Sequence, residues 1–185
     1  MAKNSGGYTL VELLVVIVII AILAGLSFPV GGKVIESAKK AQARNDIKSI
    51  EEAVRNYTIE YSRLPILPSQ LGGTGGWAGL RSGIAQGEEL LRALSGADDA
   101  AIPNPRGLVF LEGKIVDDPR GGMTTANGET TPSGFWDPWG NPYQVFLDAD
   151  MDRKINPGDP DEPTQEIVSS VLVASTGPKV SPGPT

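Results

Sequence analysis

The sequence predicts an α+β chain: one long N-terminal helix packed on a small antiparallel β-sheet head. Three observations predict it. An apolar block lies close to the N-terminus, a charged stretch with helical apolar spacing follows it, and short β-branched or aromatic runs between Gly/Pro turns come last. The 185 residues leave room for one modest core, since domains usually hold about 100–150 residues.

The first element is the apolar block. Residues 13–30 make a run of roughly 18 residues, which as a helix spans about 27 Å against a hydrocarbon thickness of about 30 Å. Residues 1–7 are polar, carry Lys3, and end in the pair Gly6 and Gly7. An ordinary secretory signal has its small-residue cleavage site after the apolar region. None follows here, so residues 1–7 read as a leader and the apolar segment stays in the mature chain. Hydropathy alone fits a plain membrane anchor or an uncleaved signal equally well. Glu12 argues for more, because an acidic residue at mid-membrane costs about 2.5–3.5 kcal/mol on insertion scales. Cleavage after Gly7 creates a cationic amine on Tyr8, one helical turn before Glu12. In an assembly, Glu12 can instead meet the amine of a neighbouring copy.

The helix is expected to run over residues 8–63, with about 8–30 as the membrane and assembly segment. Pro29 should kink or locally melt it, and Gly31 and Gly32 weaken the same place. The apolar pattern resumes at Val34, Ala38, Ala41, Ile47, Ile50, Val54, Tyr57 and Tyr61. Lys39, Lys40, Arg44, Asp46, Lys48, Glu51, Glu52 and Arg55 alternate in sign on the remaining face. That face reads first as solvated, and second as a source of ion pairs between subunits. Leu64-Pro65 and Pro68 should end the helix.

Residues 64–185 are expected to form the head. Residues 72–87 are glycine-rich and read as a surface loop, and residues 88–94 as a short helix ending at Gly96. Residues 107–111, 143–147 and 167–174 read as strands, and residues 117–132 as a polar, turn-rich connection.

Composition removes several functions. Acidic residues outnumber basic ones, 22 to 16, against the basic face a nucleic-acid partner requires. There is no cysteine and no histidine, so the commonest general base, the thiol nucleophile and disulfide staples are all missing. No nucleophile elbow or phosphate loop is present, and the chain reads as a non-enzyme. Any metal would be held by oxygen ligands, which favours calcium.

Two further motifs carry local chemistry. Asp137-Pro138-Trp139-Gly140-Asn141-Pro142-Tyr143 reads as a rigid pair of turns. Asp148, Asp150, Asp152, Lys154 (through its carbonyl), Asn156 and Asp159 fall in the oxygen-ligand order of an EF-hand-type calcium loop over residues 148–159, with Ile155 turned inward. Arg153 stands where such loops use glycine for positive φ, at a cost of roughly 1–2 kcal/mol. The alternative is an acidic solvated turn that holds no ion.

Gly7-Tyr8-Thr9-Leu10-Val11-Glu12-Leu13 resembles the cleavage and methylation signature of type IV prepilins and type II secretion pseudopilins, with Tyr8 where the family usually has Phe. The Asp137–Tyr143 segment is similar to that of the major, protein G type, pseudopilin. Val173-Ala174-Ser175-Thr176-Gly177-Pro178 looks like that family's small-residue loop, followed here by Lys179 where relatives usually carry Asp. The resemblance implies the type IV pilin fold, cleavage after Gly7 by prepilin peptidase, and N-methylation of Tyr8. It also implies a homo-oligomeric helical filament that works with an inner-membrane assembly platform and minor pseudopilins. The chain would cross the bacterial inner membrane once, with its head in the periplasm. A type IV pilus subunit, or a membrane-anchored calcium-binding domain using the same signal, are the competing readings; the lack of cysteines favours the pseudopilin.

Overall fold

The structure is a computed structural model. It describes residues 8–27, 31–66, 77–81, 85–98, 100, 102–126, 129–148, 151–155 and 167–178. Contacts divide the chain into two units, Met1–Ala38 and Lys39–Thr185.

In the first unit, α1 spans Leu10–Ser27, and the next helix, α2, begins at Gly31 and runs to Tyr61. Pro29, where a kink was expected, lies outside the described residues. From Leu10 to Leu23 the large apolar side chains of α1 are all exposed. Val34 and Ile35 at the start of α2 are exposed as well. Among the described residues no helix is long and apolar enough to cross a membrane. The last residues of the apolar run, 28–30, fall outside the described set.

The second unit holds the core. Ile50, Ala53, Val54 and Tyr57 of α2 are buried at helical spacing, with Ile47 and Tyr61 packed beside them. Ala43 takes the buried place expected of Ala41, which is exposed. A second helix of this unit, α3 (Ala85–Leu94), brings Leu90, Leu91, Ala93 and Leu94 to the same core. Its C-terminus closes on Gly96 at φ 97°, the left-handed conformation glycine adopts without strain.

Three antiparallel strands form the main sheet, in the order β1 (Trp77–Arg81), β4 (Gln144–Asp148), β7 (Val171–Ala174). Val145 faces Val173, and Leu147 faces Val171, so β-branched and aliphatic pairs stabilise the centre. A hairpin pairs β2 (Gly122–Thr125) with β3 (Pro132–Trp136), and a short pair joins β5 (Lys154–Ile155) to β6 (Ile167–Val168).

Three local expectations are corrected. The glycine-rich residues 72–87 include β1 and the first turn of α3. The turn-rich residues 117–132 contain β2, whose pairing with β3 overrides weak local β-propensity. Residues 107–111 form no strand: the amides of Phe110 and Leu111 both donate to Leu94 O, at 2.8 and 2.9 Å. The segment therefore satisfies an orphan carbonyl at the end of α3 instead of joining a sheet.

Candidate functional site: the N-terminal helix and the turns that lock the head

At the N-terminus, Thr9 and Glu12 cap α1 reciprocally. Glu12 Oε2 accepts from Thr9 N at 2.8 Å and from Thr9 Oγ1 at 2.9 Å, while Thr9 Oγ1 accepts from Glu12 N at 3.3 Å. This is a capping box, which satisfies helix-end donors on both residues. Tyr8 stands just ahead of it and is fully exposed to its surroundings; Gly7 lies outside the described residues. Reading Glu12 only as a charge awaiting an amine missed Thr9. The Thr-x-x-Glu spacing before an apolar run was the available signal.

The head is locked by the Asp137 turn. Asp137 is completely buried. Its Oδ1 accepts from the amides of Trp139 (2.9 Å) and Asn141 (2.8 Å), and its Oδ2 from Ser175 Oγ (2.7 Å) and Asn141 Nδ2 (3.1 Å). Asn141 Nδ2 also donates to Gly177 O at 2.8 Å. The two motifs that the sequence set 36 residues apart are thus one hydrogen-bonded unit. Gly140 at φ 89° makes the turn possible, and a Cβ there would meet Pro119 O at 3.2 Å.

The same turn reaches α2. Tyr143, wholly buried, donates its hydroxyl to Asp46 Oδ2 at 2.9 Å and stacks edge-on against Phe135. Burial first, and then the Asp46 charge, push the Tyr143 phenol well above its usual range, so it remains a donor. Burial raises the Asp46 carboxyl above 3.8, partly offset by the Tyr143 hydrogen bond. A carboxyl raised by folding contributes stability that is full below its unfolded pKa and is lost as pH rises through the folded pKa. Asp46→Asn keeps an acceptor for Tyr143 without the half-buried charge. Solvent screening of a half-exposed group keeps the effect small: its soluble head should melt slightly above wild type at pH 7, with the gap closing toward pH 4. Scanning calorimetry at the two pH values checks this, and an equal gap at both would contradict it.

Asn104 is the second lock. It is wholly buried, and every polar atom it carries is used. Its Nδ2 donates to Ala93 O and Leu108 O, both at 2.8 Å, its Oδ1 accepts from Leu108 N and Tyr61 OH, and its backbone N donates to Asp98 Oδ1. One side chain therefore ties the ends of α2 and α3 to the following loop. Nothing local in the sequence marked it, because its partners come from three separate segments.

In the acidic loop, Asp148 ends β4 and is 2% exposed. Its Oδ2 accepts from Arg153 N at 2.7 Å, and Asp152 Oδ1 accepts from Lys154 N at 2.7 Å. Arg153 adopts φ 65°, the conformation in which glycine was expected, and Ile155 is fully buried and paired with Ile167. Asp150, Asn156 and Asp159 lie outside the described residues. Among the described residues no three acidic, His or Cys side chains converge.

Residues 2–28 match the family model described as the prokaryotic N-terminal methylation motif. Over 146 residues, 78% of this chain and 74% of the relative, the sequence is 31% identical to the type II secretion system core protein G of Aeromonas hydrophila. The chain belongs to the type II secretion core protein G family. Proteins of the same name from Dickeya chrysanthemi and Pectobacterium carotovorum subsp. carotovorum are 39% identical over 74 residues and 43% over 61. The matches span 47% and 38% of those two proteins. No solved structure matches. For a core protein G family member, the capping box and the Asp137 turn acquire distinct places: one starts the apolar helix inside the methylation motif, and the other holds the head together without a disulfide.

Proposed function

We propose that the chain is a structural subunit of a type II secretion pseudopilus, cut after Gly7 by prepilin peptidase, methylated on Tyr8, and assembled through its N-terminal helix to drive protein export. The observation that carries this reading is the exposure of α1. Its described large apolar side chains from Leu10 to Leu23 are all exposed, from 80% at Leu10 to 59% at Leu23. A contiguous apolar surface of that extent needs lipid or other protein around it. The membrane supplies lipid before assembly, and the helices of neighbouring copies supply the cover afterwards. Before assembly the chain sits in the inner membrane as a single-pass protein with its head in the periplasm, and an assembly platform and minor pseudopilins act on it there. Co-expression with a complete type II secretion system should yield surface filaments that shear off and contain this chain. Filaments that form without it contradict the reading.

The acidic loop supports a separate proposal, calcium binding. Asp148, Asp150, Asp152 and Asp159 with Asn156 and the Lys154 carbonyl would hold the ion, a donor set of the hard-oxygen kind calcium takes. The fold-back of Arg153 N onto Asp148 and the inward Ile155 are compatible with such a loop. A bound cation would neutralise the loop's carboxylates and clamp the end of β4. The soluble head from residue 32 onward should melt several degrees lower in chelator than in millimolar calcium, since binding to the folded state at 100 times the dissociation constant stabilises by about 2.7 kcal/mol. Asp150→Ala with Asp152→Ala should erase the difference, and Arg153→Gly should enlarge it. Equal melting with and without calcium, plus a flat calorimetric titration, sinks this proposal alone.

A further inference from the structure

The described residues include three non-glycine positions at positive φ: Ser62 (52°), Met151 (60°) and Arg153 (65°). All three line one cavity of about 220 Å³, between the end of α2 and the start of the acidic loop. Non-glycine residues in this conformation cost free energy and cluster where a surface is shaped for binding. Leu64 and Met151 are its apolar lining residues, and the buried Asp148 lines it with Arg63 and Arg153. Cavities of ~150 Å³ hold a benzene-sized group, so one branched aliphatic side chain fits.

The rim is cationic. Arg63 is fixed through Nη2, which donates to Pro103 O at 2.7 Å and Tyr57 OH at 3.2 Å, and its guanidinium lies 6.0 and 5.8 Å from the Tyr57 and Tyr61 ring centres; among the described residues it makes no ion pair. Arg153 is exposed, and its side chain likewise makes no ion pair among them. The occupant should therefore present an apolar side chain flanked by carboxylates.

The chain carries such a segment elsewhere on its head. Ile115 is 50% exposed; Asp117 and Asp118 follow it and Glu112 precedes it, all exposed, with the exposed Lys114 as its one cationic neighbour in the segment. Its backbone is held rigid: Ile115 bridges Met123, Val116 N donates to Met123 O, and Met123 N donates to Lys114 O, both at 2.8 Å. A rigid knob enters a pocket with little ordering cost.

We propose that residues 112–118 of one copy dock into this cavity on a second copy, with Ile115 in the slot and Glu112 and Asp117 facing Arg63 and Arg153. The knob and the socket are different surfaces of the head, so the contact is heterologous and propagates as an open helical array. The inference rests on the filament reading and names a head-to-head contact within it.

The cysteine-free chain makes the test direct. Ile115→Cys and Met151→Cys are introduced together and singly into the full-length chain, expressed with the secretion system, and treated in sheared filaments with a short bis-maleimide. The double variant should give a ladder of dimers and higher multimers, and neither single variant should give one. Separately, Arg153→Glu should lower sheared filament by about tenfold, the loss expected when an interfacial ion pair becomes a repulsion, and Asp117→Arg in the same chain should restore it. Filaments that form normally but give no ladder overturn this contact while leaving the filament reading intact. If the wild-type chain makes no filament at all, the filament reading fails first, and this contact fails with it.

Discussion

Asp137→Ala should destabilise the soluble head by about 3–5 kcal/mol. The carboxylate is wholly buried and receives two backbone amides, a hydroxyl and a side-chain amide. Truncation leaves those donors facing a void that water fills poorly. Each buried donor left unsatisfied costs about 1–3 kcal/mol, and hydrogen bonds to charged groups lie at the upper end. Against a usual total of about 5–15 kcal/mol, the loss is a large fraction. Ser175→Ala removes one donor and keeps the turn, so it should cost about 1 kcal/mol. Asp137→Asn should fall between the two, since one oxygen still accepts from Trp139 and Asn141 while the new amide faces Ser175. Urea unfolding of the three variants measures the order. An Asp137→Ala midpoint within error of Ser175→Ala would show that the buried carboxylate is not the lock.

Glu12→Ala should leave cleavage largely intact and reduce sheared filament by about tenfold or more. Two losses combine. The capping box at the start of α1 disappears, and, on the proposed function, the amine that cleavage would create on Tyr8 would lose its counter-charge in a poorly hydrated helix bundle, where ion pairs are stronger than in water. Glu12→Gln separates them, because glutamine at this position still caps the helix but carries no charge. The filament reading expects Glu12→Gln to be nearly as defective as Glu12→Ala. Normal filament yield from Glu12→Gln would assign Glu12 to capping alone, and normal yield from both would remove it from assembly.

The parts of this molecule that were legible in the sequence are those written in short-range pattern. The apolar run, the buried spacing Ile50, Val54, Tyr57 on α2, the strand at Tyr143–Leu147 and the helix before Gly96 each follow from periodicity and turn chemistry within a few residues, whereas residues 167–174, read as one strand, are two, β6 and β7, in separate sheets. Positive φ at Arg153 and the buried Ile155 followed from the loop's ligand order in the same way. What was not legible depends on distant partners. β2 became a strand because β3 lies beside it, and residues 107–111 did not, because Leu94 O captured their amides. Asn104 gathers donors and acceptors from α2, α3 and the following loop. Tyr143 finds Asp46 across 97 positions. Thr9 is the exception, a local signal three residues from Glu12 that a charge-centred reading passed over.

On the proposed function the apolar helix is kept and becomes the assembling end of the chain. Intact mass and N-terminal sequencing of the protein in sheared filaments test it most directly. The expected result is a mature chain that begins at Tyr8 and carries one added methyl group on its amine. A chain that begins downstream of Ala24, with α1 removed, would contradict it.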